Sequence, residues 1–180
     1  MHDFQVWLVT TIGGNSPVAD VMRTAWAWPI AESLHFLGLC LLVGGIGTFH
    51  LRLLGVAKRV PIAAMHRFIP WGLLGFAINI MTGSLFILPG PDQYIYNPSF
   101  QFKLLFMTIG GLNAATFYLT SYRRIFAVDA PLDAPRRAKV IAAISLCAWI
   151  GVITGGRLLT FYRPSTCEGP QTNLLLTCTP

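Results

Sequence analysis

A glutamate and a histidine stand three residues apart in the stretch WPIAESLHFLGL, where a long apolar run begins. Residues three apart lie on neighbouring positions of one helix face, so Glu32 and His35 point into the same region. An imidazole nitrogen binds transition metals and also carries protons at physiological pH. Ionisable groups are costly at the edge of a bilayer and worse inside it, and such groups commonly mark functional sites. This pair is therefore the first candidate for a site.

A carboxylate-bridged pair of metal ions is not expected at Glu32 and His35. The E-x-x-H motif occurs in di-iron helix bundles, but those sites need a second copy of the motif and further glutamates from other helices. The sequence holds no second E-x-x-H, and no other long apolar segment contains Asp or Glu. Heme is the better candidate ligand for His35.

The other histidines bear on how a heme would be held. His50 follows His35 by fifteen residues, which on one helix is about 22 Å along the axis and about 60° around it. His66 stands at the start of the next apolar segment and is a possible partner for His50. The alternative for these two is an interfacial pair near lipid phosphates. Two methionines and one histidine remain as further axial candidates for His35: Met81, Met107 and His2.

The elements that must position these residues are apolar. Of 180 residues, 54% are hydrophobic and 11% are charged, whereas soluble domains carry about 25% charged residues. A helix needs about 20 residues to cross the hydrocarbon core. Four segments meet this requirement: Ile30–Leu54, Phe68–Leu88, Leu104–Tyr122 and Val140–Tyr162. We therefore predict an all-α, polytopic membrane protein, a bundle of four transmembrane helices.

Glycine-rich stretches in these segments have two interpretations. They are GLCLLVGGIG on the first segment, TIGGLNAAT on the third, and Gly151 with Gly155 on the fourth. Small residues at this spacing let helices approach closely. They also leave room for a flat ring, so both uses stay open.

The chain divides into three parts. Residues 1–29 are predicted as an N-terminal interfacial segment lying on the membrane, or as an ordinary extramembrane cap. Residues 30–163 form the bundle, and residues 164–180 form a polar tail. In that tail, Cys167 and Cys178 would form a disulfide if the compartment is oxidising. Cys40 and Cys147 lie inside predicted helices and are expected to be apolar fillers.

Basic residues predict the orientation, because cytoplasmic loops are enriched in Lys and Arg. Two loops carry nine of them: Arg52, Lys58, Arg59, Arg67, Arg123, Arg124, Arg136, Arg137 and Lys139. We therefore expect a multi-pass membrane protein whose two basic loops are cytoplasmic, with both termini on the opposite, periplasmic side; the resemblance given below implies a bacterial inner membrane. The formal net charge of +6 follows from these loops, so nucleic-acid binding is not expected.

With this orientation, four ionisable residues fall in one layer near the periplasmic interface. They are Glu32, His35, Lys103 and Arg157, from three different helices. Charges inside a membrane usually face the bundle interior and pair with one another, so Glu32 is expected to pair with Arg157 or Lys103. The layer is either a salt bridge that pins the helices, with Lys103 reaching toward the interface, or a site for a ligand or cofactor.

Six strings in this chain resemble an uncharacterised family of small bacterial four-helix inner-membrane proteins. They are WPIAESLHFLGL, LRLLG, TGSLF, NPSFQFKLLF, GLNAATF and LCAWIGVITGGRLLTFY. The likeness covers nearly all of the chain after Trp28, and its motifs fall on Trp28, Pro29, Glu32, His35, Arg52, Lys103, Asn113, Trp149 and Arg157. Members of the family often carry an acidic residue where this chain has His50. The resemblance implies a fold and a location, but no activity.

Two functions are compatible with these residues. The first is a membrane electron-transfer subunit, either a b-type cytochrome or a subunit linked to quinone. In it His35 is an axial ligand, while Lys103 and Arg157 bind the propionates and Trp28 and Trp149 pack against the ring edge. Its partners would be membrane lipids and a periplasmic redox protein.

The alternative is a non-redox anchor or assembly subunit of a larger membrane complex, in which the charged layer is structural or binds a lipid-like ligand. A homo-oligomer is compatible with either function. A hydrolase is not expected, because the chain has no HExxH motif, nucleophile elbow or phosphate loop.

Overall fold

A computed structural model of the protein describes residues 17–126, 133–162, 171–172 and 177–178. Short helices flank and connect the long ones: α1 (Pro17–Met22), α6 (Pro91–Ile95) and α8 (Tyr122–Ile125). The predicted disulfide and residues 1–16 of the predicted interfacial segment lie outside the described residues. A two-stranded antiparallel ladder pairs β1 (Gln171–Thr172) with β2 (Thr177–Cys178), with Gln171 opposite Cys178.

Four helical spans are long and apolar enough to cross a membrane. Span 1 (Ala27–Leu54) comprises α2 (Ala27–Leu42), a π-helical segment (Val43–Gly47) and α3 (Thr48–Leu54). Span 2 (Ile62–Ile87) comprises α4 (Ile62–His66) and α5 (Ile69–Ile87). Span 3 is α7 (Pro98–Thr120), and span 4 is α9 (Arg136–Leu158). The prediction of four helical spans agrees with this architecture.

Caps decide where the spans begin and end. Span 3 starts six residues before the predicted Leu104, because the Asn97 side chain accepts a hydrogen bond from the Ser99 amide and Pro98 occupies the first turn. Proline is well suited to that position, since its missing N–H would have no partner there. Span 1 ends at Gly55, whose φ of 104° is left-handed. At these two ends a polar cap (Asn97) and a left-handed glycine (Gly55), rather than the apolar run, set the boundary of the span.

Spans 1 and 2 form an antiparallel hairpin in which the two backbones touch. A Cβ atom placed on Gly38 would lie 2.9 Å from the Gly75 carbonyl oxygen, and one on Gly45 would lie 2.8 Å from the Gly72 amide nitrogen. No larger residue fits at these four positions without moving the helices apart. In this hairpin the glycines serve close packing, the first of the two expected uses.

Spans 3 and 4 form a second antiparallel hairpin that is held by side chains. The Phe106 ring lies on Gly151, where an added Cβ would come within 2.6 Å of the ring. The buried Asn113 amide donates to the Ile141 carbonyl at 2.8 Å. Side chains rather than backbone therefore set the register between these two helices.

The two hairpins meet mainly where α3 packs against α9. This contact belongs to a buried apolar cluster at the end of the bundle that carries the basic loops, which we call the basic end. Its members are Phe49, Leu53, Ile62, Ile69, Phe117, Ile125, Ala134, Ala138, Ile141 and Ala142. The hydrophobic core of the described chain is thus concentrated at the basic end.

Much of the bundle surface is apolar, as expected if lipid surrounds it. Large side chains such as Leu119 (86% exposed) and Leu112 (66% exposed) point outward. Cys40 and Cys147 are also exposed, so the expectation that they fill the interior is wrong. Both lie on the outward side of their helices, because the inward positions are taken by small residues such as Gly38 and Ala148.

Candidate functional site

His35 is half-buried near the end of the bundle opposite the basic loops, which we call the opposite end. Its Nδ1 lies 2.7 Å from Thr82 Oγ1, and that hydroxyl donates in turn to the Ile78 carbonyl at 2.7 Å. A threonine hydroxyl has one proton to give. When Thr82 donates that proton to the Ile78 carbonyl, it accepts from His35, and Nδ1 then carries the ring proton and leaves the lone pair of Nε2 available to a ligand.

Span 2 supplies the surface on which the His35 ring rests. The Phe86 ring lies edge-on at 5.6 Å between centroids, and Trp28 packs against Phe86 at 4.9 Å. A Cβ atom on Gly83 would lie 3.8 Å from His35 Cε1, so the glycine leaves space beside the imidazole. Trp149 instead contacts Phe76 at 6.0 Å, deeper in the bundle. Of the two tryptophans predicted to pack against a cofactor, Trp28 is the one near His35.

Lys103 approaches His35 from the other hairpin. The two residues lie within electrostatic range of each other. The lysine stem runs over span 4, where a Cβ atom on Gly155 would lie 3.3 Å from Lys103 Cβ and one on Gly156 would lie 4.0 Å from Nζ. The structure thus brings an imidazole from span 1 and an ammonium group from span 3 to the same depth, as the proposed layer requires.

Glu32 and Arg157 are placed differently from our expectation. Both are exposed, and neither forms an ion pair with any residue in the described part of the chain. The physical reason is their direction around each helix. Glu32 lies about 100° from the buried Ala31, and Arg157 lies about 160° from the buried Gly155. The expected pairing of Glu32 with Arg157 or Lys103 is therefore not formed within the described chain.

His50 and His66 lie at the basic end, far from His35. The Phe49 ring contacts both, with centroids 5.8 Å from His50 and 5.4 Å from His66. The remaining ring neighbours of His66 are also aromatic: Tyr118, Tyr122 and Phe126. Aromatic packing therefore occupies the described surroundings of His66, and the Phe49 ring lies against both histidines.

No cluster of three or more His, Cys, Asp or Glu side chains that could hold a metal ion occurs in the described ranges. Met81, a candidate axial ligand, is 69% exposed and points away from the interior. A metal ion at His35 would therefore not be held by a cluster of three such side chains from the described ranges.

The sequence alone did not indicate the roles of two residues, Thr82 at the opposite end and Arg52 at the basic end. Thr82 fixes the His35 tautomer, and its only sequence signal was a polar residue inside an apolar segment. Arg52 is 2% exposed; its Nε donates to the Val60 carbonyl and its Nη2 to the Lys58 carbonyl at 3.1 Å. In the sequence Arg52 is one of the basic loop residues, whereas the structure shows that its side chain holds the loop that follows span 1.

The resemblance to a family of small inner-membrane proteins stays a prediction. No match was found among protein-family models, among curated proteins or among solved structures.

Proposed function

We propose that this chain is a membrane electron-transfer subunit that binds heme b through His35, on the periplasmic side of a bacterial inner membrane. The observation that carries the proposal is the hydrogen bond between His35 Nδ1 and Thr82 Oγ1 at 2.7 Å, in which we assign Nδ1 as the donor. Metal-binding histidines almost always donate their second ring N–H to an acceptor, which fixes the ring and the tautomer. His35 has this arrangement, with Nε2 left as the ligand atom.

Lys103 supports the same ligand. Heme carries two propionate groups, and an ammonium group near the axial histidine can pair with one of them. Neither Gly83 nor Gly156 has a side chain to fill the space beside His35 and Lys103. Arg157, which was also expected to bind a propionate, is exposed on the far face of span 4, so in this proposal Lys103 takes that role alone.

One heme rather than two fits the positions of the histidines. His50 and His66 are at the basic end and packed among aromatic rings, so they do not offer a second ligand to iron at His35. The iron would then have one protein ligand from the described chain. A bound heme supplies one-electron chemistry between a periplasmic donor and the quinone pool, while His35 and Thr82 set its orientation.

The absorption spectrum of the purified protein tests this proposal directly. We expect a Soret band in the wild-type chain and in the matched variant His66→Ala, and its loss in His35→Ala. Unfolding curves of the two variants show whether each remains folded. A wild-type protein that lacks a Soret band, after expression with ample heme supply, would overturn the proposal.

A second candidate is a non-redox anchor or assembly subunit of a larger membrane complex. It is favoured by the exposure of Glu32 and Arg157, which have no ion-pair partner in the described chain. Charges at a bilayer boundary are stabilised by a partner on a neighbouring protein or by lipid headgroups. Co-purification of another membrane protein in a fixed ratio, without any chromophore, would favour this candidate over the first.

A further inference from the structure

We infer that copies of this chain associate side by side, with Glu32 of one copy paired to Arg157 of the next. This inference is independent of heme binding and concerns two charges that the proposed site does not use. Glu32 lies on the outward side of span 1 and Arg157 on the outward side of span 4. The described chain leaves both exposed and without an ion pair.

Their depth makes a second copy the matching partner. Glu32 is one turn from His35 along span 1, and Arg157 adjoins Gly156, whose Cβ position is 4.0 Å from Lys103 Nζ. Since His35 and Lys103 are within electrostatic range, the two outward charges stand in the same layer. Every copy inserts with the same orientation, so a lateral neighbour presents its Arg157 at the depth of Glu32.

The helix faces below the two charges are also suited to contact. Phe36 and Val43 lie within about 40° of Glu32 around span 1, and Ile150 and Ile153 lie within about 40° of Arg157 around span 4. All four apolar side chains are exposed, Ile150 by 63% and Phe36 by 58%. Each face thus combines one charge near the opposite end with an apolar stripe, and the two charges are opposite in sign.

This interface is heterologous, because it joins span 1 of one copy to span 4 of another. Heterologous interfaces repeat around an axis and close into rings when the rotation allows. An ion pair of this kind is worth little in water, but it is stronger in the low dielectric at the edge of a bilayer. A ring of like-oriented copies would satisfy both charges in every subunit.

Charge exchange tests the inference in the full-length chain. We expect Glu32→Arg and Arg157→Glu each to weaken self-association roughly tenfold, the change that about 1.4 kcal/mol produces. The double variant Glu32→Arg/Arg157→Glu should restore it, because the pair is rebuilt with its signs exchanged. Association is measured from the oligomer distribution in lipid nanodiscs over a range of protein-to-lipid ratios. Unchanged association in both single variants, or no recovery in the double variant, would overturn the inference.

A control addresses acidic residues of the same chain that lie outside the described ranges. Asp3→Asn/Glu168→Gln removes two of these carboxylates, which the sequence predicts on the same side of the membrane as Arg157. We expect this variant to associate like the wild type. Weakened association in this control, equal to that of Arg157→Glu, would assign the arginine an intrachain partner and overturn the inference.

Mixed cysteine cross-linking tests the geometry. Two differently tagged chains carry Glu32→Cys and Arg157→Cys, each with the native cysteines replaced by serine. We expect cross-linked dimers when the two are mixed, and few from either chain alone. Efficient cross-linking of the Glu32→Cys chain with itself would indicate a two-fold interface and contradict the head-to-tail arrangement. The absorption spectrum is recorded on the same samples, so loss of association and loss of heme are separate results.

Discussion

At the basic end, ten buried apolar residues contributed by all four spans and the adjoining segments pack into one cluster, whereas at the opposite end several polar side chains are buried. Buried there are Thr82, Asn97, Ser99 and Gln101. The hairpins join through α3 and α9 at the basic end. At the opposite end, His35 of one hairpin and Lys103 of the other lie within electrostatic range of each other.

This difference separates stability from the candidate function. A cluster of close-packed apolar side chains tolerates little change in shape, so the basic end is expected to hold the bundle together. The opposite end combines polar side chains with glycines beside them, and the proposed ligand site lies there. Substitutions at the two ends should therefore have different consequences.

The largest effect is expected from Phe49→Ala at the basic end. Phe49 is 2% exposed and packs against His50, His66 and Phe117. Loss of a buried phenylalanine ring costs about 3–5 kcal/mol, because it removes contacts and leaves a cavity. The free energy of unfolding is measured in detergent by denaturant titration.

The matched control for Phe49 is Leu119→Ala. Leu119 is 86% exposed on span 3, so its removal should change the free energy of unfolding by no more than about 0.5 kcal/mol. If both variants lost the same free energy of unfolding, buried and outward-facing side chains would contribute alike. The expected contrast between the packed end and the outer face would then be wrong.

A smaller effect is expected from Arg52→Gln. The buried guanidinium holds two carbonyl groups of the loop after span 1, and a hydrogen bond to a charged group contributes about 1.5–3 kcal/mol. We expect a loss of that size together with faster proteolysis of residues 55–60. The exposed neighbour supplies the comparison: Arg59→Gln should leave both measurements unchanged. Slow proteolysis in the Arg52 variant would mean that other contacts hold this loop.

The third prediction concerns the opposite end and rests on heme binding there. Thr82→Val keeps the shape of the side chain but removes the acceptor for His35 Nδ1–H. Loss of such a partner typically weakens metal binding 10- to 100-fold, and the reduction potential should shift as well. Heme titration and potentiometry measure both quantities.

Ser84→Ala is the control for Thr82, because the Ser84 hydroxyl bonds to the Ile80 carbonyl on the exposed side of the same helix. It should bind heme like the wild type. If Thr82→Val binds equally well at an unchanged potential, Thr82 does not position His35.

The smallest effect is expected at Asp133, which bridges the two basic loops. Its carboxylate accepts from Lys139 at 2.8 Å and from Lys58 at 3.4 Å. The hydrogen bond from Lys139, followed by the positive charge of both lysines, lowers the pKa of Asp133 below its ordinary value of 3.8. A lowered pKa gives stability that is present above the ordinary value and is lost as the pH falls through the folded-state pKa.

Asp133→Asn should therefore be slightly less stable than the wild type at neutral pH; the difference should shrink as the pH falls below about 4 and vanish once the pH is below the folded-state pKa. The carboxylate is 45% exposed, so solvent keeps the effect small. Thermal unfolding across this pH range measures it. Asp20→Asn, which removes an exposed pair with Arg23 inside α1, serves as the comparison. A difference that persists unchanged at pH 3 would mean that the ion pairs are not its cause.

The sequence alone determined the number and helical nature of the spans. Hydropathy is a sum over neighbouring residues, so a run of apolar side chains identifies a helix of this kind without knowledge of its partners. The depth of a residue along a helix follows from its position in the sequence, since each residue advances about 1.5 Å along the axis. That is why His35 and Lys103 could be assigned to one layer from their positions.

Only the tertiary structure decided which way the side chains of that layer point. Glu32 and Arg157 stand at the expected depth but face outward, because the glycines and alanines beside them select the faces that pack. The hydrogen-bond partner of His35 also becomes visible only in the tertiary structure, since Thr82 is forty-seven residues away in sequence. Depth is a local property of one helix, whereas direction around the axis depends on which helices pack together, and no single segment contains that information.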